Sequence, residues 1–93
     1  MRVGIAKITL HLGCVSSLKD KRRVLQSLIA HTKREFNVSI AEVEQMDNRE
    51  RTVLGVALVS NNGRLNQRVL DKLVAFLERH PEVSVEHVES EIL

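Results

Sequence analysis

Odd and even positions differ from the first residues onward. Gly4, Ala6, Ile8, Leu10 and Leu12 share one side, and Val3, Ile5, Lys7, Thr9 and His11 share the other. This period-two alternation predicts a strand from Arg2 to Gly13 with its even side in the core. Gly13-Cys14-Val15-Ser16 supplies a turn. From Leu18 to about Glu35 the period becomes helical. At about 100° per residue, Leu18, Leu25, Leu28, Ile29, Thr32 and Phe36 fall on one arc. Lys19, Arg22, Arg23, Gln26, Lys33 and Arg34 fall on the opposite arc, with Ala30. Lys21 sits within the apolar arc, where a lysine near a helix start is expected to snorkel out beside the sheet end.

Asn37 is expected to end this helix in a left-handed conformation. Val38 to Gln45 reads as a second strand with poor alternation, because Val38 and Ile40 share a side with Glu42 and Glu44. Such a strand suits a sheet edge, where charge discourages aggregation. Met46 to Arg51 reads as a polar, mobile hairpin connection. Thr52 to Ser60 is almost wholly apolar and suits a central strand covered on both faces. Ser60-Asn61-Asn62-Gly63 is turn and cap chemistry for a second helix from about Arg64 to Arg79, with Leu65, Val69, Leu73, Phe76 and Leu77 inward. Pro81 stops that helix. Val83 to Leu93 is the last strand, and its alternation shifts at His87-Val88, as at a bulge.

The order β-α-β-β-α-β closes most simply as one ferredoxin-like α+β domain over residues 1–93. It has a four-stranded antiparallel sheet with two helices on one face. The other face has no helix to cover it. Val3, Ile5 and one set of the third strand's apolar residues would lie there, more apolar than a solvated face should be. A homodimer is therefore expected.

Ninety-three residues suffice for one core. No run of apolar residues is long enough to span a membrane, and Lys7 interrupts any signal-peptide core. The single cysteine, Cys14, cannot pair within the chain and is expected to be a small buried residue. These features predict a cytoplasmic protein without membrane association. Charge divides unevenly. Residues 1–36 hold eight Lys or Arg against Asp20 and Glu35, a net of +6, so the rest must carry −4 to leave +2 overall.

The cations concentrate in Ser17-Leu18-Lys19-Asp20-Lys21-Arg22-Arg23. Ser17 and Asp20 have capping-box spacing, and Asp20 suits the positive end of the helix dipole. Lys19, Lys21, Arg22 and Arg23 do not, at a cost of up to about 1 kcal/mol for each cation. Cations and free amides at a helix start make a phosphate-binding surface, which Lys33 and Arg34 would extend. A plain solvated face is the alternative.

Three stretches carry a resemblance: Ser17 to Arg22, Asn37 to Val43, and Leu54 to Ser60. In this order they resemble the YlxP-like family of small bacterial proteins, over nearly the whole chain. That resemblance implies a ferredoxin-like fold. It also implies a bacterial protein near ribosomal RNA, because the family's genes often lie among those for translation initiation and ribosome maturation. It implies no activity. One departure is Met46-Asp47-Asn48-Arg49, where the family pattern leads one to expect an aromatic residue.

The rest of the chemistry narrows the choice. The only aromatics besides histidine are Phe36 and Phe76, both on apolar arcs, so stacking of RNA bases on the sheet is not expected. An acylphosphatase-like activity would need an arginine in the loop after the first strand. It would also need an asparagine on the third strand, and neither is there. His11, His31, His80 and His87 lack paired ligand spacing, so no metal or other cofactor is expected. The expected protein is not an enzyme. It would bind the phosphate backbone of ribosomal RNA or a ribosomal subunit through Lys19, Lys21, Arg22, Arg23, Lys33 and Arg34. A homodimeric interaction module without nucleic acid is the alternative.

Overall fold

The computed structural model describes residues 1–93. In chain order the elements are β1 (Arg2–Leu12), α1 (Leu18–Glu35), β2 (Ser39–Glu44), β3 (Arg51–Ser60), α2 (Gly63–Glu78) and β4 (Val83–Ile92). The strands form one antiparallel sheet in the order β2-β3-β1-β4. This is the expected ferredoxin-like α+β arrangement, with β2 at one edge as its charges foretold. No helix is long and apolar enough to cross a membrane.

The even side of β1 makes the core. Ala6, Ile8, Leu10 and Leu12 meet Leu54, Val56 and Leu58 of β3 under the two helices. Val24, Leu25 and Leu28 of α1 and Leu70, Leu73 and Leu77 of α2 close the layer. The buried arc of α2 is turned from the expected one: Leu65 is exposed, and Asn66 and Leu70 are buried. Asn66 fixes that rotation. Its amide donates to the Arg2 carbonyl (3.3 Å), and its oxygen accepts from the Ser60 hydroxyl (2.6 Å). Two hydrogen bonds make a buried amide tolerable where an apolar residue would be the usual choice.

Asn37 does not take the left-handed role expected of it. Phe36 already leaves the helix in extended backbone (φ −133°, ψ 137°). There it meets Phe76 edge to face, with centroids 5.6 Å apart, and the chain runs straight into β2. The one positive φ in the chain is at Gln45 (64°), where β2 gives way to the hairpin.

Two bulges adjust the sheet. Glu42 pairs with Leu54 and Glu44 with Val53, so Val43 is the extra residue in β2. Thr9 pairs with His87 and Leu10 with Val85, so the irregularity expected near His87 falls at Glu86. The open face carries Val3, Ile5, Lys7, Thr9 and His11 beside Val59, Ala57, Gly55, Val53 and Arg51. Two ion pairs cross it: Lys7 with Glu44, and Arg51 with Glu86 (2.8 and 3.1 Å).

Candidate anion-binding face

The start of α1 is built as its sequence suggests. The Ser17 hydroxyl accepts from the Asp20 amide (3.0 Å), and the Asp20 carboxylate accepts from the Ser16 amide (3.2 Å). Two otherwise orphaned donors are thereby satisfied. Asp20 also accepts from the Arg23 guanidinium (2.7 and 3.2 Å). That bond, followed by the one from Ser16, holds the Asp20 carboxyl below its ordinary range. Arg23 is therefore half committed to its own helix, though its side chain stays 71% exposed.

Lys21 corrects the sequence reading outright. It does not snorkel; it is 1% exposed. Its ammonium donates to the carbonyls of Gln45 (2.7 Å), Asn48 (2.6 Å) and Arg51 (2.9 Å). The Glu42 carboxylate stands 2.9 Å away and also accepts from the Thr52 hydroxyl (2.7 Å). A buried ammonium is tolerable only when its charge is paired and its protons are placed, and both conditions hold. No outside phosphate can reach it, so Lys21 leaves the set of anion-binding candidates. The hairpin expected to be loose is instead wrapped around this cation. Asn48 tightens it further by accepting from the amides of Glu50 (2.8 Å) and Arg51 (3.2 Å).

Lys19, Arg22, Lys33 and Arg34 are exposed and make no ion pair within the fold. They stand opposite Lys21, Leu25, Leu28 and Thr32, the buried side of α1. Lys19, Arg22, Arg23 and Gln26 line a groove of about 510 Å³ with Ser16, Ser17 and Asp20. Arg49 approaches its rim, with its guanidinium 3.5 Å from the Ser16 carbonyl. Cys14, expected to be buried, is exposed in the preceding turn. Lys33 and Arg34 lie at the far end of the helix and do not join the groove.

The structure adds cations that the reading of α1 alone missed. Arg64, Arg68 and Lys72 recur every fourth residue on α2 and are exposed, opposite Asn66, Leu70, Leu73 and Leu77. They too lack an intramolecular carboxylate partner. Their spacing was visible in the sequence. The residues after 36 are acidic in sum, which masks these three cations, but most of those carboxylates lie on strands and loops.

Residues 3–90 match the family described as "Protein of unknown function (DUF503)". The chain belongs to this family. Over 81 residues it is 33% identical to "Uncharacterized protein YlxP" of Bacillus subtilis (strain 168), covering 87% of this chain and 88% of that one. The resemblance read from the three motifs is thus correct, and the structure shows what joins them in this DUF503 chain. Lys21 of the first motif pairs with Glu42 of the second. Val43 of the second packs where a side chain on Gly55 of the third would stand. The motifs meet in space, and those two contacts are structural.

Proposed function

We propose that the protein is a non-enzymatic, cytoplasmic RNA-associated protein of bacteria. It holds phosphate backbone on the outer face of its helix layer, on or near the ribosome. One observation supports this above others: Lys19, Arg22, Lys33 and Arg34 line the outer side of α1 with no carboxylate of the fold to neutralise them. Unpaired, solvated cations on a rigid helix bind phosphates and release counterions in doing so. The frequent position of the family's genes among translation genes points the same way.

Co-sedimentation with ribosomal subunits tests the reading. The wild type should pellet with subunits at roughly 50 mM salt and largely dissociate by roughly 200 mM. The variant K19E/R22E/K33E/R34E should stay in the supernatant at both. Equal pelleting of the two proteins, or pelleting indifferent to salt, would count against it.

A second reading concerns the open sheet face. Its two cations are each paired, Lys7 with Glu44 and Arg51 with Glu86, and two further carboxylates, Glu89 and Glu91, lie at the β4 edge, while Val59 stands 64% exposed beside Val3. A face with no unpaired cation and an uncovered apolar end is suited to its own copy, as in an isologous dimer. Sedimentation equilibrium at micromolar concentration should give a dimer for the wild type and a monomer for Val59→Lys. A monomeric wild type removes this reading and leaves the first untouched.

A further inference from the structure

Resting on the RNA reading above, we infer that the helix layer binds double-stranded RNA, with α1 lying across the minor groove. The cations of α1 fall into two groups. Arg22 and Lys33 are eleven residues apart, about 16 Å at the helical rise of 1.5 Å per residue. Between them the outer face carries the exposed, uncharged Gln26, Ser27 and Ala30. A single track of phosphates would favour an unbroken row of cations. Two cationic ends around a neutral, hydrogen-bonding middle fit two strands with a groove between them.

The A-form minor groove is wide and shallow and displays 2′-hydroxyls. Lys19 and Arg22 meet the phosphates of one strand, and Lys33 and Arg34 those of the other. Gln26 and Ser27 face the hydroxyls, which DNA lacks. Arg64, Arg68 and Lys72 on α2 repeat every four residues, about 6 Å, and add phosphate contacts beside those of α1. Single strands are held elsewhere by stacking bases on exposed aromatic rings. Here Phe36 and Phe76 pack edge to face, half-buried against the core, and the chain has no tyrosine or tryptophan. A duplex keeps its bases inside and needs no such rings.

Fluorescence anisotropy with three labelled probes tests this: an RNA hairpin of about 16 base pairs, an unstructured RNA of equal length, and the matching DNA duplex. The RNA duplex should bind about tenfold tighter than either of the others. The variant R64Q/R68Q/K72Q should flatten the slope of log affinity against log salt by about 3, one unit for each lost phosphate contact. The variant Q26A/S27A should shrink the preference for RNA over DNA duplex while leaving that slope unchanged. All of these substitutions are on exposed positions, and thermal melts confirm folding. Unstructured RNA binding as tightly as the duplex, or an unaltered salt slope in the α2 variant, would overturn the inference. If subunits pellet with the wild type while the duplex shows no advantage, only this inference falls. If no RNA binds at all, the RNA reading falls with it.

Discussion

Removing the Lys21 ammonium leaves three backbone carbonyls and the Glu42 carboxylate without their shared donor. Breaking a buried ion pair from one side costs about 3–5 kcal/mol, a large part of the stability of a domain this size. Lys21→Met should therefore lower the urea midpoint drastically, and Glu42→Gln by less, about 1–3 kcal/mol, because the ammonium keeps its carbonyls. Replacing both by apolar residues often restores a simple buried pair. Here K21M/E42L should remain destabilised, since the carbonyls of Asn48 and Arg51 stay orphaned, while that of Gln45 keeps the Asn48 amide (3.0 Å); a double variant as stable as the wild type would refute the role assigned to them. Helical spacing placed Lys21 on the apolar arc but could not name its partners, which lie 24 to 30 residues away in an irregular hairpin. The one sequence signal was indirect: Glu42 spoils the alternation of β2 because it turns inward to meet this cation. Asp20 makes stability depend on pH. Its carboxyl is depressed, chiefly by Arg23, so its contribution is full above the unfolded value and is lost as pH falls through the folded one. Asp20→Asn should thus melt below the wild type at neutral pH, and the gap should close below the ordinary aspartate range. A gap that ignores pH would assign Asp20 a role independent of charge.

Between elements, the contact most open to test is that of β2 on β3. A Cβ built on Gly55 would stand 2.8 Å from a methyl of Val43, the bulged residue of β2. Val43 is at a sheet edge and 42% exposed, so it can give way in part. Gly55→Ala should cost about 1 kcal/mol, and most of that should vanish in a Val43→Ala background. Equal costs in both backgrounds would mean that something other than Val43 requires the glycine. The elements themselves were legible where period and punctuation agreed. The bounds of α1 follow from the change of period at Leu18 and the Ser17 cap, and Asn62 caps α2 by accepting from the amides of Arg64 and Leu65. Reading failed where one polar residue overrode the apolar pattern. Asn66 turned α2 about its axis by bonding Ser60 and Arg2, a partner in β1 that no local pattern reveals.

For the whole molecule, charge sorts by layer and not by stretch of sequence. The basic first third loses Lys21 to the interior and Lys7 to the open face, and half of Arg23 to Asp20. The acidic remainder returns Arg64, Arg68 and Lys72 to the helix layer. Counting by segment therefore found the sign of the face but not its extent, because extent depends on two helices brought side by side. Glu89 and Glu91 pair in register with Lys7 and Ile5, which places them on the opposite, open face at the β4 edge. The molecule is 21 and 18 Å across its shorter axes. At about 0.15 M ionic strength the screening length is about 8 Å, so these carboxylates are hidden from a ligand on the helices; at about 0.01 M it is about 30 Å, and they repel it. The variant E89Q/E91Q should bind the RNA duplex with a faster association rate only at the lower ionic strength, with dissociation unchanged. Reversal of Lys19 and Arg22 should weaken binding at both. Were E89Q/E91Q to alter binding equally at both ionic strengths, the ligand would have to touch the sheet edge, and the helix layer would no longer be the binding face.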